Sequence, residues 1–262
     1  MIAEHQPPHF PDNFVGAVSS TTDGSLRYPP GNPEAARRMG SWLGQQGIDP
    51  RDAAGMLIKY GEGRTYTDIK ELSRVPGGGI LSEDGWIEAD ALVTDKPNIA
   101  LVLPTGDCNS PQFVDPHNEV IALGHAGWHS TIHNLLSKIV TYLQDNHHTN
   151  PEELLVHFPP SIRRGSYVFD NLTDVGELGY DGKPQWHSPA YATKRTDGRY
   201  DIDLMAYNLD LLHQAGVRPE NIEVAQADTF TNENYFSNHR RHYEPESPRS
   251  MGRIATVIMM KS

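Results

Sequence analysis

Three apolar segments follow one another between residues 89 and 125, and they restrict the fold more than any other feature of the chain. Their sequences are ADALVT, NIALVLP and EVIALGH, separated by short polar breaks. Runs of this length and composition are typical of buried strands. A stripe at helical spacing comes next, formed by Ile132, Leu135, Leu136, Ile139, Val140 and Leu143. We therefore predict adjacent central strands with an amphipathic helix packed outside them.

The remaining elements complete a mixed order of strands and helices. Strands are predicted at residues 14–19, 56–59, 67–72, 154–158, 222–226 and 254–259. Helices are predicted at residues 33–46, capped by Asn32 and ended by Gly47, and after Asp201 or Asp203 up to Gly216. Residues 172–199 are polar and poorly periodic, which predicts a long surface excursion. Because strands and helices do not alternate strictly, we predict a single α+β domain over residues 1–262, with central sheets flanked by helices.

Charge and cysteine content restrict the partners. The chain has 22 Lys and Arg against 34 Asp and Glu, a formal charge of −12. This surplus of acid argues against a nucleic acid or an anionic membrane as the main partner. A single cysteine excludes an internal disulfide framework, and the first residues, MIAEHQPPHF, lack the pattern of a signal peptide. We expect a cytoplasmic protein that acts on a small molecule, and we leave assembly into a homo-oligomer open.

Cys108 and His125 are the first candidates for chemistry. Each follows an apolar run, so two strand ends are expected to bring a thiol and an imidazole to one cleft. Cys108 is open to three interpretations: a zinc ligand, a nucleophile or a buried structural thiol. The small residues after His125 allow close backbone approach before Trp128.

Further histidines and arginines are weaker candidates. Because Gly127 disfavours a helix interior, we place His129 in the first helical turn, as a ligand or as a solvated residue. His147 and His148 at the end of that helix are interpreted as a favourable contact with the helix dipole. The arginines of residues 238–253 are candidates for gripping a phosphate or carboxylate, or for simple surface solvation.

Motifs along most of the chain resemble one family. They are VSSTTDGS near the start, ADALVT, GDCNSP around Cys108, GHAGWHST around His125, FPPSIRRGSY, DLMAYNLDLLHQAGV, and YFSNHRR followed by MGR. The chain resembles the YfiH-like proteins, also called laccase-domain or multicopper polyphenol oxidase proteins, which act as purine nucleoside phosphorylases and adenosine deaminases. The resemblance implies one compact sandwich of central sheets flanked by helices, similar to the catalytic domain of cytotoxic necrotizing factor toxins.

The resemblance also implies a zinc site. In the family, zinc is held by a His of a Gln-Val-His-Gly motif, by the Cys of Asp-Cys and by the His of His-Ala-Gly-Trp. The last two correspond to Cys108 and His125, whereas Tyr60 stands where the first His is expected. A phenol is a poorer ligand than an imidazole at neutral pH, although a metal can stabilise its phenolate. Either His129 or a histidine from the terminal loops substitutes as the third ligand, or the site has lost its metal.

The function implied by the resemblance is a zinc-dependent purine nucleoside phosphorylase or adenosine deaminase. Asp107 would move protons, and Trp128, Arg64, Arg240 and Arg241 are the expected substrate contacts, the arginines holding phosphate. Two alternatives remain. One is a family member with an impaired metal site that acts by binding. The other is a metal-free hydrolase with Cys108 as nucleophile and His125 as base.

Overall fold

Two large sheets form the centre of the computed structural model, which describes residues 7, 9–28, 30–61, 64–172 and 190–262. Among the described residues, the five-stranded sheet has the order β1 (Phe14–Val18), β14 (Ile254–Met260), β6 (Ala100–Thr105), β2 (Ala53–Leu57) and β4 (Trp86–Glu88). The six-stranded sheet has the order β13 (Ile222–Val224), β9 (Leu155–Phe158), β7 (Gln112–Asp115), β8 (Val120–Gly124), β5 (Ala91–Thr94) and β3 (Ile69–Glu71). A small sheet combines β10 (Val168–Phe169), β12 (Tyr200–Ile202) and β11 (Ala192–Lys194).

Four helices accompany these sheets in the described part of the chain: α1 (Pro33–Gln45), α2 (Trp128–Ile132), α3 (Leu135–His147) and α4 (Leu204–Gln214). The predicted caps are present, because the Asn32 side chain accepts from the Ala35 amide and Asp203 accepts from the Ala206 amide. Gly47 follows α1 with a φ of 74°, the left-handed conformation that favours glycine. No helix in the described ranges is long and apolar enough to cross a membrane.

The alternation of side chains along β6 shows how the five-stranded sheet is buried on both faces. Leu101 and Leu103 join a core that lies between the two large sheets. Ala100 and Val102 point the other way and join a separate core with residues of α1. This two-residue period is the geometry of any strand, and here both of its phases are apolar.

Strand β8 plays the same part in the six-stranded sheet. Ile121 and Leu123 enter the core between the sheets, whereas Val120 and Ala122 pack into the core that contains α3 and α4. The order of layers is therefore α1, five-stranded sheet, six-stranded sheet, and α3 with α4. The predicted α+β sandwich with central sheets and outer helices is confirmed.

Two details of the sequence interpretation were wrong. The three apolar segments are not all neighbours, because β5 pairs with β8 whereas β6 lies in the other sheet between β14 and β2. The predicted helix after His125 is interrupted, since Asn134 has a φ of 60° and separates α2 from α3. Part of the predicted excursion at 172–199 lies outside the described residues; its end forms β11, and β12 follows.

His157 in β9 makes the stability of this fold sensitive to acid. Burial first, and the neighbouring His9 second, lower its pKa from 6.5 to about 3, and its Nδ1 lies 2.8 Å from the Gln112 Oε1. Because the unfolded chain takes up this proton before the folded chain does, the contribution is complete above pH 6.5 and is lost as the pH falls toward 3. At pH 5 the loss is about 2 kcal/mol.

Urea unfolding at pH 7.5 and pH 5 measures this effect. His157→Gln is expected to lose less stability between the two pH values than the parent protein, by about 2 kcal/mol. His148→Asn changes an exposed histidine and should retain the parental pH dependence. Equal pH dependence in the parent and His157→Gln would contradict the account.

Candidate active site

Cys108 and His125 lie close together because the segments that follow β6 and β8, strands of different sheets, pair through their backbones. Asn109 and Ala126 form an isolated antiparallel bridge, in which the Ala126 amide donates to the Asn109 carbonyl at 2.9 Å. The His125 amide donates to the Asp90 carbonyl, so the backbone of His125 is also held to the segment before β5. The predicted meeting of two strand ends is therefore present.

Gly127 follows this bridge, and any side chain there would press against both Cys108 and His125. A Cβ at Gly127 would stand 3.2 Å from Cys108 Sγ and 3.2 Å from His125 Cε1, and 3.6 Å from His125 Nε2. Both distances of 3.2 Å are tighter than ordinary carbon contacts. The glycine therefore lets the thiol and the imidazole share one small space.

Gly127→Ala is expected to reduce turnover about tenfold while leaving the protein folded, because the added methyl displaces both side chains by a few tenths of an ångström. Steady-state kinetics and thermal unfolding on the same sample would measure both effects. Gly44→Ala is the matched control: it lies in α1 with nothing within 4 Å of the new Cβ, so parental turnover is expected. Unchanged turnover in Gly127→Ala would show that this close packing has no role in catalysis.

Asp107 fastens the Cys108 turn to the chain near residue 239. Its buried carboxylate accepts from the Thr229 hydroxyl at 2.7 Å and from the His239 amide at 2.6 Å. Its φ of 91° is unusual outside glycine, so the surrounding contacts must hold a strained turn. Burial raises the pKa of Asp107 despite these hydrogen bonds. The carboxylate that was predicted to move protons is thus placed at the cavity wall with its oxygens engaged by the backbone and Thr229.

A buried chain of amide and hydroxyl groups supports the same turn from behind. The Asn109 Nδ2 donates to Ser161 Oγ at 2.8 Å, and Asn208 Nδ2 donates to Asn109 Oδ1 at 3.0 Å. Thr131 in α2 donates to Asn208 Oδ1 at 3.2 Å. The thiol-bearing turn is therefore tied to α2 and α4, which limits its freedom to move.

The thiol and the imidazole are both uncharged at neutral pH. Burial raises the pKa of Cys108 to about 12, with Asp107 adding to the effect and Arg253 opposing it. Burial, followed by His129, lowers the pKa of His125 to about 4. An ion pair of thiolate and imidazolium, the form that activates a catalytic cysteine, is disfavoured in this environment.

A cavity of about 290 Å³ on one side of this pair is lined by aromatic rings. The ring of His129 stacks with that of Tyr66, their centroids 4.3 Å apart, and also with the ring of Trp128. Other rings of the cavity come from β10 and its neighbourhood and from the segment near residue 239. The Tyr167 ring centroid lies 4.7 Å from that of Phe169 and 5.2 Å from that of His239. Trp128, which was predicted to contact the substrate, lines this cavity. Tyr66, Tyr167, Phe169 and His239 were missed by the sequence analysis, and no motif distinguishes them.

A second cavity of about 490 Å³ adjoins the first and contains two arginines, Arg27 and Arg253. The Arg253 Nη2 donates to Asn238 Oδ1 at 3.1 Å. Burial, then Arg27, lowers the pKa of Arg253, while the nearby Cys108 and Asp107 oppose that change. The cavities share five lining residues: Tyr60, Gly106, Cys108, His125 and Asn238. Arg253 was noticed only as one of several loop arginines, and Arg27 carried no signal.

The arginines predicted to bind phosphate do not line either cavity. Arg64 contacts Glu88 Oε1 at 3.0 Å and Asp90 Oδ2 at 3.3 Å. Arg240 is buried, pairs with Glu244 at 2.8 Å and lies 4.9 Å from the Phe230 ring centroid. Arg241 is exposed and donates to the Asn238 side chain at 3.3 Å. Arg64 and Arg240 already have carboxylate partners, and the arginines that line the second cavity are Arg27 and Arg253.

The donors at this cavity do not match a three-ligand metal site. Cys108 and His125 have suitable chemistry, but among the described residues they do not form, with His129, a group whose ligand atoms all lie within 4.8 Å of one another. Tyr60 is 65% exposed at the shared wall, its ring 6.0 Å from that of His129. Partial desolvation at the cavity raises the Tyr60 pKa, so the phenol stays protonated. Two donors would hold an ion weakly.

Comparison with known proteins places these features in a family. The model of a family described as multi-copper polyphenol oxidoreductase laccase matches residues 63–261. A Rickettsia conorii protein named purine nucleoside phosphorylase is 28% identical over 196 residues, which cover 73% of this chain and 78% of that protein. A Geobacillus stearothermophilus protein with the same activity in its name is 32% identical over 152 residues, 58% of this chain and 54% of that protein.

Solved structures show the same fold. YlmD from Geobacillus stearothermophilus superposes with a TM-score of 0.78 and 20% sequence identity, and the match covers 100% of both chains. The YfiH protein of Bacillus licheniformis superposes with a TM-score of 0.77 and 20% identity, over 95% of this chain and 94% of that one. These superpositions establish the architecture of the chain. A shared architecture does not by itself establish a shared reaction.

Proposed function

Because this chain belongs to the multi-copper polyphenol oxidoreductase laccase family, whose model matches residues 63–261, we propose that it catalyses the phosphorolysis of purine nucleosides. The observation that carries the proposal is the pair of adjoining cavities, one aromatic and one containing arginines, which share the wall at Cys108 and His125. Relatives named purine nucleoside phosphorylases support this choice of reaction.

The aromatic cavity suits a purine base. A flat heterocycle gains stacking and dispersion energy from rings such as Tyr66, Tyr167 and Phe169, which line this cavity. His125 and His129 are neutral, since their pKa values are both lowered to about 4, so each presents one N–H donor and one acceptor nitrogen. Neutral donors and acceptors match the edge of an uncharged base.

The second cavity suits inorganic phosphate. Arg253 and Arg27 both line it, and a guanidinium binds two phosphate oxygens through parallel N–H groups. Their mutual repulsion, which helps to lower the Arg253 pKa, would be relieved by a dianion between them. Since the chain carries a formal charge of −12, such a local concentration of positive charge is needed for an anionic substrate.

The reaction balances without an outside acid. A phosphate oxygen of hydrogen phosphate forms a bond to the ribose C1′, and the bond between C1′ and the purine N9 breaks. The products are ribose 1-phosphate and the free base, and the proton of hydrogen phosphate ends on the base. The protein therefore needs to position the two substrates across the shared wall and to offer neutral polar groups to the leaving base.

The other reactions have weaker support at this site. Hydrolytic deamination of adenosine needs an activated water, and zinc would supply it by lowering the pKa of that water. Among the described residues, Cys108 and His125 form no group with a third donor whose ligand atoms all lie within 4.8 Å of one another, so a zinc-dependent deamination has less support. A Cys-His hydrolase needs a thiolate, which burial of Cys108 opposes. A protein that only binds nucleosides would retain both cavities and show no turnover.

One product assay separates these reactions. Inosine or adenosine is incubated with the purified protein, with and without phosphate, after treatment with a chelator and metal analysis by mass spectrometry. Equal amounts of free base and ribose 1-phosphate, formed only with phosphate and retained without zinc, are expected. Inosine formed from adenosine, dependent on added zinc, would favour deamination. Absence of any product would favour binding alone.

A further inference from the structure

A second group of metal-binding side chains lies at the edge of the six-stranded sheet. Glu71 ends β3, Asp95 follows β5, and His147 ends α3. Each offers one ligand atom, and these atoms all lie within 4.8 Å of one another. Strands β3 and β5 are parallel, and the Thr94 hydroxyl donates to the Leu72 carbonyl at 2.7 Å, so both strands end at the same place.

The imidazole of His147 is the feature that separates this group from an ordinary acidic surface. Its side chain is only 10% exposed, and its Nε2 is buried without a hydrogen bond. That nitrogen lies 3.4 Å from Glu71 Oε2 and therefore points into the group. A buried polar atom with no hydrogen bond is costly, and a cation shared with the carboxylates would satisfy it.

The surroundings also favour a cation. Tyr142 donates to Glu71 Oε2 at 2.8 Å, which orients the carboxylate. The C-terminal end of α3 carries the negative end of the helix dipole. The one nearby competitor among the described contacts is Lys96, whose Nζ lies 3.0 Å from Asp95 Oδ2 in an exposed pair. Exposed pairs of this kind contribute little, so an ion can displace the ammonium.

We propose that Glu71, Asp95 and His147 bind a divalent first-row transition-metal cation that fastens the end of α3 to the edge of the six-stranded sheet. One imidazole with two carboxylates is a donor set that suits manganese, iron or zinc better than calcium. This gives His147 a ligand role in place of the contact with the helix dipole that the sequence analysis preferred.

This site is separate from the active cavity and independent of the proposed phosphorolysis. His125 contacts the backbone at Asp90, before β5 begins, whereas Asp95 follows its end. An extended chain of five residues separates the two points, about 16 Å. Glu71 also lines a surface groove of about 610 Å³, which gives an ion a route from solvent.

The test uses manganese, because a sulfur donor such as that of Cys108 favours softer ions. Metal-stripped full-length protein is titrated with Mn²⁺, and free ion is measured by its electron paramagnetic resonance signal. One equivalent is expected to bind, and His147→Gln should weaken binding at least about tenfold. His148→Asn changes the adjacent exposed histidine, and Cys108→Ser removes the thiol of the active cavity; both should bind as the parent does.

A second variant guards against loss of binding through misfolding. Lys96→Gln removes the competing ammonium and is expected to tighten binding about fivefold. In thermal unfolding, a concentration of Mn²⁺ just sufficient to saturate the parent should raise the Tm of the parent and of Lys96→Gln, and should raise that of His147→Gln clearly less. Binding that is the same in the parent and His147→Gln, or that is lost in Cys108→Ser, would overturn the proposal.

Discussion

Replacing Arg253 by alanine is expected to lower kcat/KM for phosphorolysis by about 10²- to 10³-fold, because a phosphate at the second cavity loses its main charged donor. The KM for phosphate should rise strongly, whereas the KM for the nucleoside should change little, since the aromatic cavity is untouched. Arg253→Lys retains the charge without the paired N–H groups and should give an intermediate rate. Steady-state kinetics with phosphate and nucleoside varied independently would separate the two constants.

The matched control for this variant is Arg51→Ala. Arg51 is exposed and pairs with Asp49, in a short helical turn that lines neither cavity. Its removal should leave both KM values as they are in the parent. An Arg253→Ala protein with an unchanged KM for phosphate would show that phosphate binds elsewhere.

Replacing Asp107 is expected to have the largest effect on stability. Asp107→Ala leaves the Thr229 hydroxyl and the buried His239 amide without their acceptor. It also places alanine, which lacks the short polar side chain that lets Asp and Asn tolerate positive φ, at a φ of 91°. The expected loss is about 3 to 5 kcal/mol. Asp107→Asn keeps the shape and a residue that tolerates positive φ, so its loss should be smaller, about 1 to 3 kcal/mol.

Urea unfolding at pH 7.5 gives these free energies directly. Asp145→Asn removes a carboxylate that is exposed on α3 and should change stability by less than about 0.5 kcal/mol. If Asp107→Ala were as stable as Asp145→Asn, the fastening role of Asp107 would be contradicted. If Asp107→Asn were folded and stable yet inactive, the carboxylate would have the proton-transfer role that the sequence predicted.

The local elements of this fold were predictable because their causes are local. Asn32 and Asp203 cap helices through their own side chains, and the stripe from Leu135 to Leu143 needs only helical spacing to be recognised. The arrangement of the strands was not predictable to the same degree. A strand buried on both faces has the same pattern in either sheet, so nothing in NIALVLP assigns β6 to a different sheet from β5 and β8.

The sequence singled out the centre of the candidate site and three of the residues that line it, Tyr60, Trp128 and His129, but not the arginines and the other rings. Cys108 and His125 stand beside small residues at strand ends, and such positions mark a cleft. The arginine at the cavity was harder to choose, because residues 238–253 contain several arginines and their partners decide which one faces the cavity. Glu244 engages Arg240, whereas Arg253 reaches Asn238 at the shared wall. Those partners depend on tertiary packing.

The central claim is that base and phosphate occupy the two adjoining cavities on either side of the wall at Cys108 and His125. A crystal structure with phosphate and 9-deazainosine tests it most directly, because the carbon–carbon glycosidic bond of that analogue resists phosphorolysis. The account predicts the base against Tyr66 and His129, and the phosphate within hydrogen-bond distance of Arg253. A base bound in the arginine cavity, or a phosphate held by Arg64 or Arg240 instead, would contradict it.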